Sequence, residues 1–101
     1  MKLPVLIEPD ARAEWDHGAA WYDKRQPGVG IRFNAVVREY IEKISTEYER
    51  FPVIGKRTQR AKITGWPYSI YFVVNHNIKH IKIVAIWQGN QNPSRLRHRF
   101  R

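Results

Sequence analysis

The residues best placed to do chemistry lie in the second half of the chain, where Lys56, Arg57, Arg60 and Lys62 follow one another closely. In the alternating stretch from Gln59 to Thr64, Arg60, Lys62 and Thr64 share one strand face and Ala61 and Ile63 the other. In the last apolar run, His80 and Lys82 alternate with Ile81 and Ile83, and Trp87 closes the run beside a polar loop. Beyond it a base falls at every second position: Arg95, Arg97, Arg99 and Arg101. Cations interleaved with aromatic side chains suit phosphates and stacked bases. The same pattern also describes an ordinary solvated strand face, so Arg60 and Lys62 are candidates on chemistry and clustering together. His76 and His80 stand four apart, but a turn and a strand do not bring such a pair together, and no metal site is expected. Gly28-x-Gly30 precedes a helical pattern without the further glycine or the preceding strand of a nucleotide loop. No cofactor is expected.

Charge distribution supports the same half. The 101 residues carry a net charge of +9. All nine acids lie in the first 49 residues beside seven bases, whereas residues 50–101 hold eleven bases and no acid. A merely soluble surface mixes the signs. A one-sign half points to a polyanionic partner, either nucleic acid or an acidic protein segment. There is no cysteine, so nothing marks an oxidising compartment or a thiolate metal site. The longest apolar run, Ile70 to Val74, is too short to span a bilayer, and Met1 to Glu8 reads as a strand and not a signal peptide. The expectation is one domain over residues 1–101, in the cytoplasm and away from membranes.

The elements that must position these residues follow from periodicity. The chain centres on a hairpin whose arms are Trp66 to Val74 and Ile78 to Trp87, joined at Asn75-His76-Asn77. Large side chains on both faces of each arm predict central strands. Leu3 to Ile7 predicts a first strand. Ala11, Trp15, Ala19 and Tyr22 recur at helical spacing after Asp10, a predicted N-cap. Trp15 and Trp21 are expected in the core. Gln26 to Gly30 breaks that helix, and a second runs from Val29 to Tyr48 on the stripe Phe33, Val36, Val37, Tyr40, Ile41, Ile44. Phe51 to Gly55 reads as a connection and Gln59 to Thr64 as the second strand. In the last strand, alternation puts Ile81, Ile83 and Ala85 on one face, and His80, Lys82, Val84 and Ile86 on the other. Tyr68 and Tyr71 face opposite ways, one of them into the core. The expected fold is α+β, β-α-α-β-β-β, with a helical hairpin on one face of a small, mainly antiparallel sheet. The opposite face should be cationic, with Trp87 at its rim.

Trp21-Tyr22-Asp23, then Pro27-Gly28-Val29-Gly30 and Arg32-Phe33, resembles the helix-hairpin signature of the RelE/ParE superfamily of toxins from type II toxin–antitoxin modules. Pro67-Tyr68-Ser69-Ile70-Tyr71, Ile83-Val84-Ala85-Ile86-Trp87 and Asn92-Pro93 resemble the rest of that pattern, over nearly the whole chain. The resemblance implies the same β-α-α-β-β-β fold and a cognate antitoxin that wraps the toxin. It implies one of two activities. RelE-like members cut messenger RNA on the ribosome, and ParE-like members poison DNA gyrase. The basic strand positions of RelE-like members fall near Arg60 and Lys62, where they would hold the RNA backbone and stabilise charge on the scissile phosphate. A family arginine falls near Tyr68. The histidine and arginine that relatives carry before Asn-Pro fall on Gln88 and Gln91, and glutamine neither titrates nor carries charge. His80, His98 or Tyr68 would have to substitute.

The expected function is therefore a growth-inhibiting toxin of the binding type, acting on a target such as DNA gyrase and neutralised by an acidic antitoxin. A ribosome-dependent messenger endonuclease is the second reading, with Arg60, Lys62 and Tyr68 as catalytic candidates. A non-toxic basic nucleic-acid-binding relative is the third. The binding set is Lys56, Arg57, Arg60, Lys62, His80, Lys82, Trp87, Arg95, Arg97 and Arg99.

Overall fold

Two helices lie on one face of a five-stranded sheet in the computed structural model, which describes residues 2–89. In chain order the elements are β1 (Val5–Ile7), α1 (Pro9–Arg25), α2 (Val29–Glu47), a 3-10 turn (Tyr48–Arg50), β2 (Val53–Gly55), β3 (Thr58–Lys62), β4 (Tyr68–Asn75) and β5 (His80–Gln88). The sheet order is β1-β5-β4-β3-β2. β1 runs parallel to β5, and every other pairing is antiparallel. The predicted hairpin is thus the centre of the sheet. The stretch Phe51 to Gly55, expected to be a bare connection, instead holds an edge strand, β2, too short for its alternation to register in sequence, and the 3-10 turn precedes it.

α1 starts on Pro9, whose missing N–H is no loss in a first turn. Glu8 occupies the N-cap position expected for Asp10, and Asp10 sits in the first turn, where a carboxylate complements the helix dipole. The close of the helical hairpin rests on Asp23. Its Oδ1 accepts hydrogen bonds from the N–H groups of Gly28 (3.1 Å) and Gly30 (2.8 Å), so the end of α1 caps the start of α2. Gly28 has φ 94°, a left-handed conformation. At Gly30 a Cβ would lie 2.5 Å from the Ala19 carbonyl oxygen, and the bare backbone lets the helices meet.

The core lies between helices and sheet. Ala11 and Trp15 from α1 and Phe33, Val37 and Ile44 from α2 pack on Ala61, Ile70, Phe72, Ile81, Ile83 and Ile86. Trp15 Nε1 donates to Asn34 Oδ1 at 2.8 Å, which joins the two helices through a polar atom. Ser45, buried on α2, donates from Oγ to the Leu3 carbonyl at 2.6 Å, and Leu3 N–H donates to the Ser45 carbonyl at 3.0 Å. That pair fixes the approach to β1.

One irregularity changes which residues face the core. The pairing of β4 with β5 shifts between Tyr71 and Phe72: Tyr71 stands opposite Ala85, yet Phe72 stands opposite Ile83. Val84 is the extra residue of a β-bulge. Beyond it the faces exchange, so Ile86 joins the helix-side core and Ala85 turns outward. The alternation read from sequence put these two residues the other way round, because a bulge breaks the period without a distinctive residue to mark it.

Candidate functional site

The face of the sheet away from the helices gathers Arg60, Lys62 and Lys82. Strand pairing places them in neighbouring rows: Arg60–Tyr71–Ala85, Lys62–Ser69–Trp87 and Thr58–Val73–Lys82. All three cations are exposed. Tyr71, Val84, Ala85 and Trp87 form a small second cluster on this face, with Val73 packed against it. The surface is therefore an apolar strip flanked by cations. Lys82 meets Glu8 at 3.5 Å, an exposed pair that contributes little to stability and leaves the cation accessible.

The remaining basic candidates extend this face toward the β4–β5 turn. Lys56 and Arg57 make the tight turn between β2 and β3, where Lys56 holds φ 49°. Arg57, Asn75 and Lys82, with Val73 and Val84, line a shallow cavity of about 340 Å³. His80 opens β5 opposite Asn75, half-buried. Gln91, Arg95, Arg97, His98 and Arg99 lie outside the described residues.

Three candidates sit differently from expectation. Tyr68 is 9% exposed and faces the helices, on the side of β4 opposite to Lys62. It packs on Phe33, with ring centroids 4.9 Å apart. Burial raises its pKa above the ordinary phenol value, with the neighbouring Tyr22 phenol adding to the shift. Trp87 is not a rim residue standing in solvent but is 9% exposed within the outer cluster. Trp21, expected in the core, is 40% exposed, with the Arg25 guanidinium 3.5 Å from its ring centre. Helical spacing could not separate it from its neighbour Tyr22, which takes the inward position beside Phe33 and Trp66.

Tyr71 is the residue that sequence reasoning left unassigned. It occupies the cationic face directly across from Arg60, and the signal for it was the register of the central hairpin with β3. Chemically, Arg60 and Lys62 can hold phosphate or carboxylate groups. The candidate proton donor Tyr68 does not join them. Among the described residues no three His, Asp or Glu side chains gather as a metal site, and no helix is long and apolar enough to cross a membrane.

No protein-family model matches the chain, and no curated protein matches it in sequence. Solved structures do match it in shape. A chain of the chromosomal ParDE toxin–antitoxin system from P. aeruginosa superposes with TM-score 0.75 at 18% identity, over 86% of this chain and 96% of that one. A chain of the RelBE2 toxin–antitoxin complex from Mycobacterium tuberculosis superposes with TM-score 0.61, also at 18% identity, over 87% of this chain and 99% of that one. These likenesses establish the fold as RelE/ParE-like.

Proposed function

We propose that the chain is the toxin of a type II toxin–antitoxin pair, working in the cytoplasm and arresting growth by binding its target in the ParE-like manner. DNA gyrase is the first target to test. The fold supports the toxin reading, since the two solved structures named above come from toxin–antitoxin systems. The observation that carries the binding reading is the separation of Tyr68 from Arg60 and Lys62 on opposite sides of the sheet. General acid–base chemistry needs the proton donor within hydrogen-bond reach of the group it serves. Cations around an apolar strip instead suit an acidic, amphipathic protein segment, which is the character expected of the antitoxin.

Purified chain added to a gyrase supercoiling reaction tests this directly. Dose-dependent loss of supercoils, reversed by the antitoxin, is the expected result. Unaltered supercoiling at saturating protein would remove gyrase as the target. The endonuclease reading retains one observation in its favour, the placement of Tyr71 opposite Arg60 on the cationic face. It is checked by mapping messenger ends in a cell-free translation mix. Intact messages are expected. New ends that vanish in an Arg60→Ala/Lys62→Ala variant would support cleavage instead.

A further inference from the structure

The cations of the outer sheet face come from residues after position 50, where the sequence holds no acid. The carboxylate that meets them comes from the other end of the chain: Glu8 Oε1 lies 3.5 Å from Lys82 Nζ. Register puts the surrounding side chains on that same face. Lys82 stands between Leu6 of β1 and Val73 of β4, Asn75 lies two residues beyond Val73, and Glu8 lies two residues beyond Leu6 in extended backbone. Glu8, Arg57, Asn75 and Lys82 line the shallow cavity of about 340 Å³ together with Val73 and Val84. The backbone of Glu8 is held, since its N–H donates to the Ile83 carbonyl at 3.0 Å. Its side chain makes no cap hydrogen bond to α1. Asn75 Oδ1 accepts the N–H groups of Asn77 (3.0 Å) and Ile78 (3.3 Å), which leaves its amide nitrogen as a donor. Arg57 is exposed and forms no ion pair among the described residues.

We propose that a carboxylate side chain of an acidic partner segment docks in this cavity, and that Glu8 holds its place in the free chain and is displaced on binding. This use of the cavity rests on the reading of the face as the surface for an acidic protein segment. A guanidinium, an ammonium and an amide nitrogen offer donors, and a carboxylate can accept from all three. The two valines beside them suit the methylene stem of an acidic side chain or an apolar neighbour in the segment, whereas a phosphate group has no stem to lay on them. Glu8 already shows that a carboxylate fits. Its pair with Lys82 is exposed on both sides and weak, so exchange for a partner carboxylate costs little. Glu8 thus acts as a tethered competitor that neutralises Lys82 until a partner arrives.

Affinity is read by fluorescence anisotropy of a labelled peptide of alternating Glu and Leu, titrated with the full chain at about 0.15 M salt, where long-range attraction is screened. Glu8→Gln should tighten binding by about two- to fivefold. Glu39→Gln, which makes the same change in net charge on α2, should leave it nearly unchanged. Arg57→Gln and Lys82→Gln should each weaken it by about tenfold, and Lys43→Gln on α2 should not. In a Lys82→Gln background the gain from Glu8→Gln should vanish, since the two residues act as a pair. Circular dichroism checks that each variant keeps the native fold. Equal effects of Glu8→Gln and Glu39→Gln, or a gain from Glu8→Gln that persists without Lys82, would overturn the competitor role and leave the acidic-segment reading standing. A peptide that the wild-type chain does not bind, or that binds as well without Arg57 and Lys82, would overturn both. Single-stranded RNA is titrated in parallel, and a Glu8→Gln gain seen with RNA but not with the peptide would assign the cavity to phosphate and overturn the proposal.

Discussion

Asp23 shows how one carboxylate sets the shape around it, since it satisfies two backbone donors that α2 leaves open at its start. Asp23→Ala should lower stability by about 1 kcal/mol, as the loss of a helix cap does. Gly30→Ala should be worse, by about 1–3 kcal/mol in thermal or urea unfolding, because the new methyl meets backbone on α1. The titrating phenols give a pH signature. Burial raises the pKa of Tyr22 and Tyr68 above 10.0. Below that value both folded and unfolded chains keep these protons and nothing is lost. Above it the unfolded chain ionises first, so stability should fall as pH rises through the raised folded values. Tyr40 works the other way. Hydrogen bonding by the Thr64 side chain, and then by the Thr64 N–H at 3.1 Å from the Tyr40 hydroxyl oxygen, lowers its pKa and favours the phenolate in the fold. Alkaline unfolding curves of Tyr68→Phe and wild type, normalised at neutral pH, should therefore separate, with the variant losing less stability.

At the scale of elements, the helices and the central hairpin were legible because each carries a long, regular apolar period. The α2 stripe and the β4 run are the clearest instances. What was illegible has short-range causes. β2 has three residues and no period to read. The bulge at Val84 reverses the facing of Ala85 and Ile86 with nothing in composition to announce it. Trp21 and Tyr22 are adjacent aromatics, and only packing against Phe33 and Trp66 decides which goes inward. The positions of Arg60 and Lys62 followed from alternation, but the separation of Tyr68 from them needed the assembled sheet. Ile86→Ala should destabilise by about 2–4 kcal/mol in urea unfolding, as the loss of a buried isoleucine side chain does.

Across the whole molecule, the two sides of the sheet carry different chemistry. One holds the helices and the core, and the other an apolar strip with Arg60, Lys62 and Lys82 around it. Those cations are exposed, so replacing them should leave stability within about 0.5 kcal/mol while removing attraction for an acidic partner. Affinity for that partner should fall with added salt, as screened charges require. The most direct test is growth after induction of wild type and of an Arg60→Ala/Lys62→Ala/Lys82→Ala variant, at matched soluble protein levels. Wild type should halt division, and the triple variant should let cells grow at close to the uninduced rate. A triple variant that arrests cells as fully as wild type would contradict a toxin acting through this face.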